Sequence, residues 1–132
     1  MLCRKEESRM SEDISRLPPQ VQERLLRLQQ LQQTLQSVMA QKQQVDAEQN
    51  EVEQTLTELQ KTTDEAIIYK AIGSLLVKSE KAKVTEELAE RKELLTTRST
   101  VLTRQEERLR TQVKEVQTKL QEDLSPVAPP SP

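Results

Sequence analysis

Among the groups that most often do acid–base or nucleophilic chemistry, this 132-residue chain has twenty-two carboxylates, one cysteine, one tyrosine and no histidine. Paired carboxylates act as acid and base only where a pocket separates their pKa values. Here the acids recur among Lys, Arg and Gln, at spacings that put them on solvated helix faces. Cys3 sits near the N-terminus with no histidine to activate it, and Gly73, the lone glycine, cannot build a phosphate-cradling loop or a dinucleotide fingerprint. We expect no catalytic residue, no metal, no cofactor and no enzyme. The chemistry that remains is the association of apolar surface.

That surface is rationed. Hydrophobic residues make up 33% of the chain and charged residues 32%, with Tyr69 the one aromatic, so a large compact interior is not expected and a long-helix class is. The net charge of -2 balances 20 basic against 22 acidic residues, which leaves no field to draw in nucleic acid or anionic lipid. The longest apolar run, from Ala71 to Val77, is broken by Gly73 and Ser74 and is far shorter than the ~20 residues that span a bilayer. The start of the chain lacks the apolar stretch of a secretory signal, and a single cysteine forms no internal disulfide, so the expected location is cytoplasmic.

Two stretches of heptad pattern must carry the chain's apolar side chains. Helix one is expected over about residues 19–61, starting at the Leu17-Pro18-Pro19 step, because proline fits a helix's first turn. Its seam reads Val21, Arg24, Leu28, Leu31, Leu35, Val38, Lys42, Val45, Gln49, Val52, Leu56 and Leu59, nine of twelve being apolar. A sustained seven-residue repeat of this kind supercoils against a partner helix. Helix two is expected over about residues 79–122, with Ser79 as N-cap and Glu80 in the first turn. Its seam reads Val84, Leu88, Arg91, Leu95, Arg98, Leu102, Gln105, Leu109, Val113, Val116, Leu120 and Leu124, with two four-residue steps meeting at Leu109 as a local irregularity. Glu87 with Arg91, Glu106 with Arg110 and Glu115 with Lys119 are spaced for i, i+4 ion pairs.

Between the helices, IIYKAIGSLLVK (67–78) is dense in β-branched and apolar residues around Gly73-Ser74, a pair suited to a two-residue type II′ turn. In that register Ile72 opposes Leu75, Ala71 opposes Leu76, Lys70 opposes Val77 and Tyr69 opposes Lys78. One face then carries Ile68, Ile72, Leu75 and Val77, the other Ile67, Tyr69, Ala71 and Leu76. A lone two-stranded ribbon with two apolar faces and two free edges is marginal in water. Either it folds onto its own helix ends or, the reading preferred here, hairpins from several subunits join into a larger sheet or closed barrel.

The fold class expected is mainly α: an antiparallel two-helix coiled coil with a central β-hairpin that assembles into an oligomeric β-barrel platform. In domain terms, residues 1–16 are expected to form a flexible extension, 17–124 one domain and 125–132 a disordered Pro-rich tail.

This hairpin, the preceding Asp64-Glu65, and the flanking LPPQVQ (17–22) and RQEERL (104–109) resemble the beta-type prefoldin subunit, in particular its archaeal form. The resemblance covers nearly the whole chain apart from its ends. It implies a hexamer of two alpha-type and four beta-type subunits whose hairpins form a double β-barrel platform bearing coiled-coil arms. It further implies an ATP-independent chaperone that holds unfolded polypeptides at the arm tips and passes them to a group II chaperonin. By position, the client-binding tip would comprise Leu17, Val21, Leu25, Leu28, Val113, Val116, Leu120 and Leu124, and the oligomerisation hairpin Ile67, Ile68, Tyr69, Ala71, Ile72, Gly73, Leu75, Leu76 and Val77. A structural coiled-coil adaptor or tether without chaperone activity is the alternative that composition leaves open.

Overall fold

The computed structural model describes residues 16–125. The expected N-terminal extension, apart from Arg16, and the Pro-rich tail beyond Ser125 lie outside the described residues. Four elements follow in order: α1 (Pro19–Gln60), β1 (Ile67–Ile72), β2 (Leu75–Glu80) and α2 (Lys81–Leu124). Pro18 closes the start of α1, its carbonyl accepting from the N–H groups of Val21 (2.9 Å) and Gln22 (3.1 Å), while the Gln22 amide donates to the Leu17 carbonyl at 2.8 Å. These bonds use groups that a helix start leaves without intrahelical partners.

The chain divides into two compact units, one holding 16–37 and 106–125, the other 38–105. In the first, Val21 and Leu31 of α1 bury with Val116 and Leu120 of α2, and Arg24 forms an ion pair with Asp123. In the second, α1 buries Val38, Val45, Val52 and Leu59, and α2 buries Leu95 and Leu102. Polar contacts bridge the antiparallel helix segments there: Glu48 accepts from Arg91 at 2.8 Å, Gln49 meets Thr96 at 3.4 Å and Glu53 faces Lys92 at 4.0 Å.

Along α1 every expected seam position is buried or half-buried. Leu31, Val38, Val45, Val52 and Leu59, seven apart, are the buried row, while Leu28, Leu35, Lys42, Gln49 and Leu56 form a half-buried row beside it. Along α2 the reading needs correction. Arg91, Arg98 and Gln105 are exposed, and Ser99 and Glu106 are half-buried in their stead. With those two restored, the spacing 95, 99, 102, 106, 109, 113, 116, 120 alternates four and three throughout, so the irregularity expected at Leu109 is absent.

Two further corrections concern local structure. Ser79 does not cap a helix, because it pairs with Ile68 in the ladder, and Glu80 pairs with Ile67. The register of the two-residue turn carries pairing as far as β1 extends, so α2 starts only at Lys81, with no acid in its first turn. Glu106 pairs with Arg110 at 2.9 Å as spaced, whereas Glu87 and Arg91 turn away from each other, Glu87 to Lys70 and Arg91 to Glu48.

Candidate functional site

Among the described residues no group of three or more His, Cys, Asp or Glu side chains is placed to hold a metal ion, and no buried polar side-chain atom lacks a partner. Two apolar regions, one in each unit, remain to be accounted for.

The first is the hairpin. The observed pairs, Ile72 with Leu75 through Ile67 with Glu80, put Ile68, Ile72, Leu75 and Val77 on one face and Ile67, Tyr69, Ala71 and Leu76 on the other. Gly73 has φ of 59° and among the described residues no non-glycine residue has positive φ, so Ser74 does not, which selects type II′ over type I′. Nothing lies within 4 Å of where a Gly73 Cβ would stand; the glycine is needed for its backbone conformation, not for space. Neither face is covered. Leu76 is 73% exposed and Leu75 67%, and Ile67, Tyr69, Ile72 and Val77 are also exposed, with Ile68 half-buried. The sheet consists of these two strands, so each strand has one free edge.

Polar contacts anchor the foot of the hairpin without covering it. The Lys70 ammonium donates to Glu87 of α2 at 2.6 Å, joining β1 to the helix. That hydrogen bond, opposed by desolvation and helped by the charges of Lys70 and Lys83, holds the Glu87 carboxyl below its ordinary range. Lys81, at the start of α2, donates to the Thr62 carbonyl at 2.7 Å and to Asp64 at 3.3 Å, so it ties the turn after α1 to α2.

The second region is formed by the ends of α1 and α2 in the other unit. Of the eight residues assigned to a client-binding tip, Val21, Val116 and Leu120 are buried and make up the cluster's interior together with Leu31. They are core, because the two helices close on each other there and remove those side chains from water. Leu17, Leu25, Leu28 and Val113 are half-buried and pack on that core, and Leu124 is 54% exposed. Leu26, which the expected tip does not include, is 61% exposed. Its signal was the Leu25-Leu26 doublet: neighbours on a helix lie about 100° apart, so one turns inwards and the other to water. In the other unit Leu94-Leu95 repeats the effect, with Leu94 58% exposed beside buried Leu95.

Comparison with known proteins gives four concordant matches. The family model described as "Prefoldin subunit" matches residues 22–126. A prefoldin subunit beta from Thermococcus gammatolerans is 46% identical over 75 residues, which are 57% of this chain and 64% of that relative. The prefoldin subunit beta of Archaeoglobus fulgidus is 51% identical over 75 residues, 57% of this chain and 65% of that relative. The matched stretch thus spans under two thirds of the length of these relatives. Among solved structures, the crystal structure of the prefoldin beta subunit from Thermococcus strain KS-1 superposes with a TM-score of 0.77 at 42% identity, covering 83% of this chain and 96% of that one.

Proposed function

This chain belongs to the prefoldin subunit family, and from that premise we propose that it serves as a beta-type subunit of a hetero-oligomeric, ATP-independent chaperone in the cytoplasm. The observation that carries the proposal is the uncovered hairpin. Ile67, Tyr69, Ile72, Leu75, Leu76 and Val77 all stand in water on a ribbon of only two strands. Removing a large aliphatic side chain from water contributes about 1.5–3 kcal/mol, so neighbouring hairpins that cover these faces and pair the free edges supply a driving force for assembly. An alpha-type prefoldin subunit, in a hexamer of two alpha and four beta chains, is the partner this reading requires.

Client capture falls to the half-buried and exposed groups of the helix ends: Leu17, Leu25, Leu28, Val113 and Leu124, joined by Leu26. A contact of a few tens of Å² contributes under ~1 kcal/mol at about 25 cal/mol per Å². Holding an unfolded polypeptide therefore relies on several weak contacts from different subunits acting together, and such contacts release readily to a group II chaperonin. No step calls for an enzyme active site or a cofactor.

The test is aggregation suppression. The complex reconstituted with an alpha-type chain should suppress aggregation of an unrelated denatured protein without nucleotide, and Leu26→Ser with Leu124→Ser in every beta chain should weaken that suppression. A fully assembled wild-type complex that leaves aggregation unchanged overturns the chaperone reading in favour of a tether.

A further inference from the structure

The two helix segments that close the unit of 16–37 and 106–125 differ in charge. On α2 the exposed side chains include Glu107, Arg108, Lys114, Glu115, Lys119 and Glu122. On α1 no charged residue occurs from Leu28 to Gln41, in a chain of which 32% is charged. The outward side of α1 here is built of glutamine instead. Leu31 is buried and Leu28 and Leu35 are half-buried, which sets the inward face. At about 100° per residue Leu26, Gln29, Gln30, Gln33 and Gln36 fall together on the opposite side, and all five are exposed. Half-buried Gln22 and Gln49 direct their amides to partners within the chain, the Leu17 carbonyl and Thr96. The amides of Gln29, Gln30, Gln33 and Gln36 enter no hydrogen bond among the described residues.

We propose that this face holds the main chain of an uncharged, extended segment of a client polypeptide, with Leu26 receiving one of its apolar side chains. The inference rests on the client-holding function proposed above and adds the chemistry that the helix end selects. A glutamine amide has two donors, an acceptor oxygen and no charge, so it pairs with peptide N–H and C=O groups whatever side chains they carry. From Leu26 to Gln36 the face runs about 15 Å along the helix, the length of four to five residues of extended chain. A client carboxylate or ammonium laid on it would give up hydration and meet no opposite charge, which disfavours charged segments of either sign. Each bond formed replaces one to water, so one amide holds little and several must act together, which keeps the contact reversible.

Peptide binding to the full-length chain assembled with an alpha-type subunit tests this. The probes are three end-labelled peptides of equal length and leucine content, followed by fluorescence anisotropy. The first has asparagine and serine between the leucines, the second is the same with alternate main-chain amides N-methylated, and the third has aspartate and lysine in place of asparagine and serine. Wild type should bind the first at least about fivefold more tightly than either of the others. The combined variant Gln29→Ala, Gln30→Ala, Gln33→Ala, Gln36→Ala keeps good helix formers at exposed sites and should bring the three within about twofold of one another. Gln30→Leu with Gln33→Leu enlarges the apolar surface beside Leu26, so it guards against a general loss of binding in the first variant; it should still narrow the preference.

Equal wild-type affinity for the first two peptides overturns the inference, as does a full preference retained in both variants. So does a lower oligomer mass of the alanine variant by light scattering, which assigns the face to contact between subunits. A wild-type complex that binds none of the three defeats the client-holding reading itself, and the inference with it.

Discussion

Leu95 and Leu76 are the same side chain in opposite circumstances: the first, on α2, is 1% exposed and the second, on β2, is 73% exposed. The helices spend their few apolar residues on a narrow seam that each unit closes by itself. The hairpin concentrates Ile, Leu, Val and Tyr on both faces and closes nothing. A helix seam needs one partner, and the returning helix provides it; a two-stranded ribbon has two faces and two edges, more than one chain of this design can cover. The contrast teaches that burial here marks what folds the chain, and, on the function proposed above, exposure on the hairpin marks what assembles it.

Breaking the exposed half of this contrast has the largest expected effect. Ile72→Asp with Leu75→Asp puts two carboxylates at the cross-strand pair next to the turn, on a face that the proposed assembly covers. The oligomer should fall to smaller species in light scattering while circular dichroism still reports the helices. Unchanged mass would mean that the hairpin is not the interface.

The buried half is sharpened by a pair of substitutions on α2. Leu95→Ala removes a fully buried side chain and should cost about 2–5 kcal/mol. Gln105→Ala, at an exposed site, should stay within about 0.5 kcal/mol. Urea unfolding followed at the helix signal distinguishes them, and similar costs at the two sites would restore Gln105 to the seam.

That second pair also marks how much the sequence could tell. The α1 seam was legible because Leu or Val fills one heptad position at five consecutive repeats from Leu31 to Leu59. On α2 the stretch between Leu95 and Leu109 has only Leu102 in the seam, and the flanking positions are polar whichever step is taken. Steps of three chose Arg98 and Gln105; steps of four choose Ser99 and Glu106, whose short side chain and aliphatic stem tolerate partial burial. The hairpin register was legible because a single glycine fixed the turn. The start of α2 was not, since Ser79 is a good cap in isolation and loses to a ladder that still has a strand to pair with. At the helix ends the residue types were apolar as required, but which of them face inwards depends on how the two helices close, and single positions such as Val21 or Leu120 do not carry that information.

The smallest expected effect tests the contact that joins the two kinds of region, the hydrogen bond from Lys70 on β1 to Glu87 on α2. Glu87 is held below its ordinary range first by that bond, so the folded chain binds a proton there less readily than the unfolded chain does. A carboxyl with a depressed folded-state pKa stabilises the fold above its unfolded pKa and loses that contribution as pH falls through the folded value. The comparison is wild type against Glu87→Gln, with thermal unfolding followed from neutral pH down through the carboxylate range. Wild type should be the more stable at neutral pH and the two should converge on acidification, with the shift in midpoint smaller than that from Leu95→Ala because both partners are substantially exposed. A gap that persists below the carboxylate range would assign Glu87 a packing role instead of an electrostatic one.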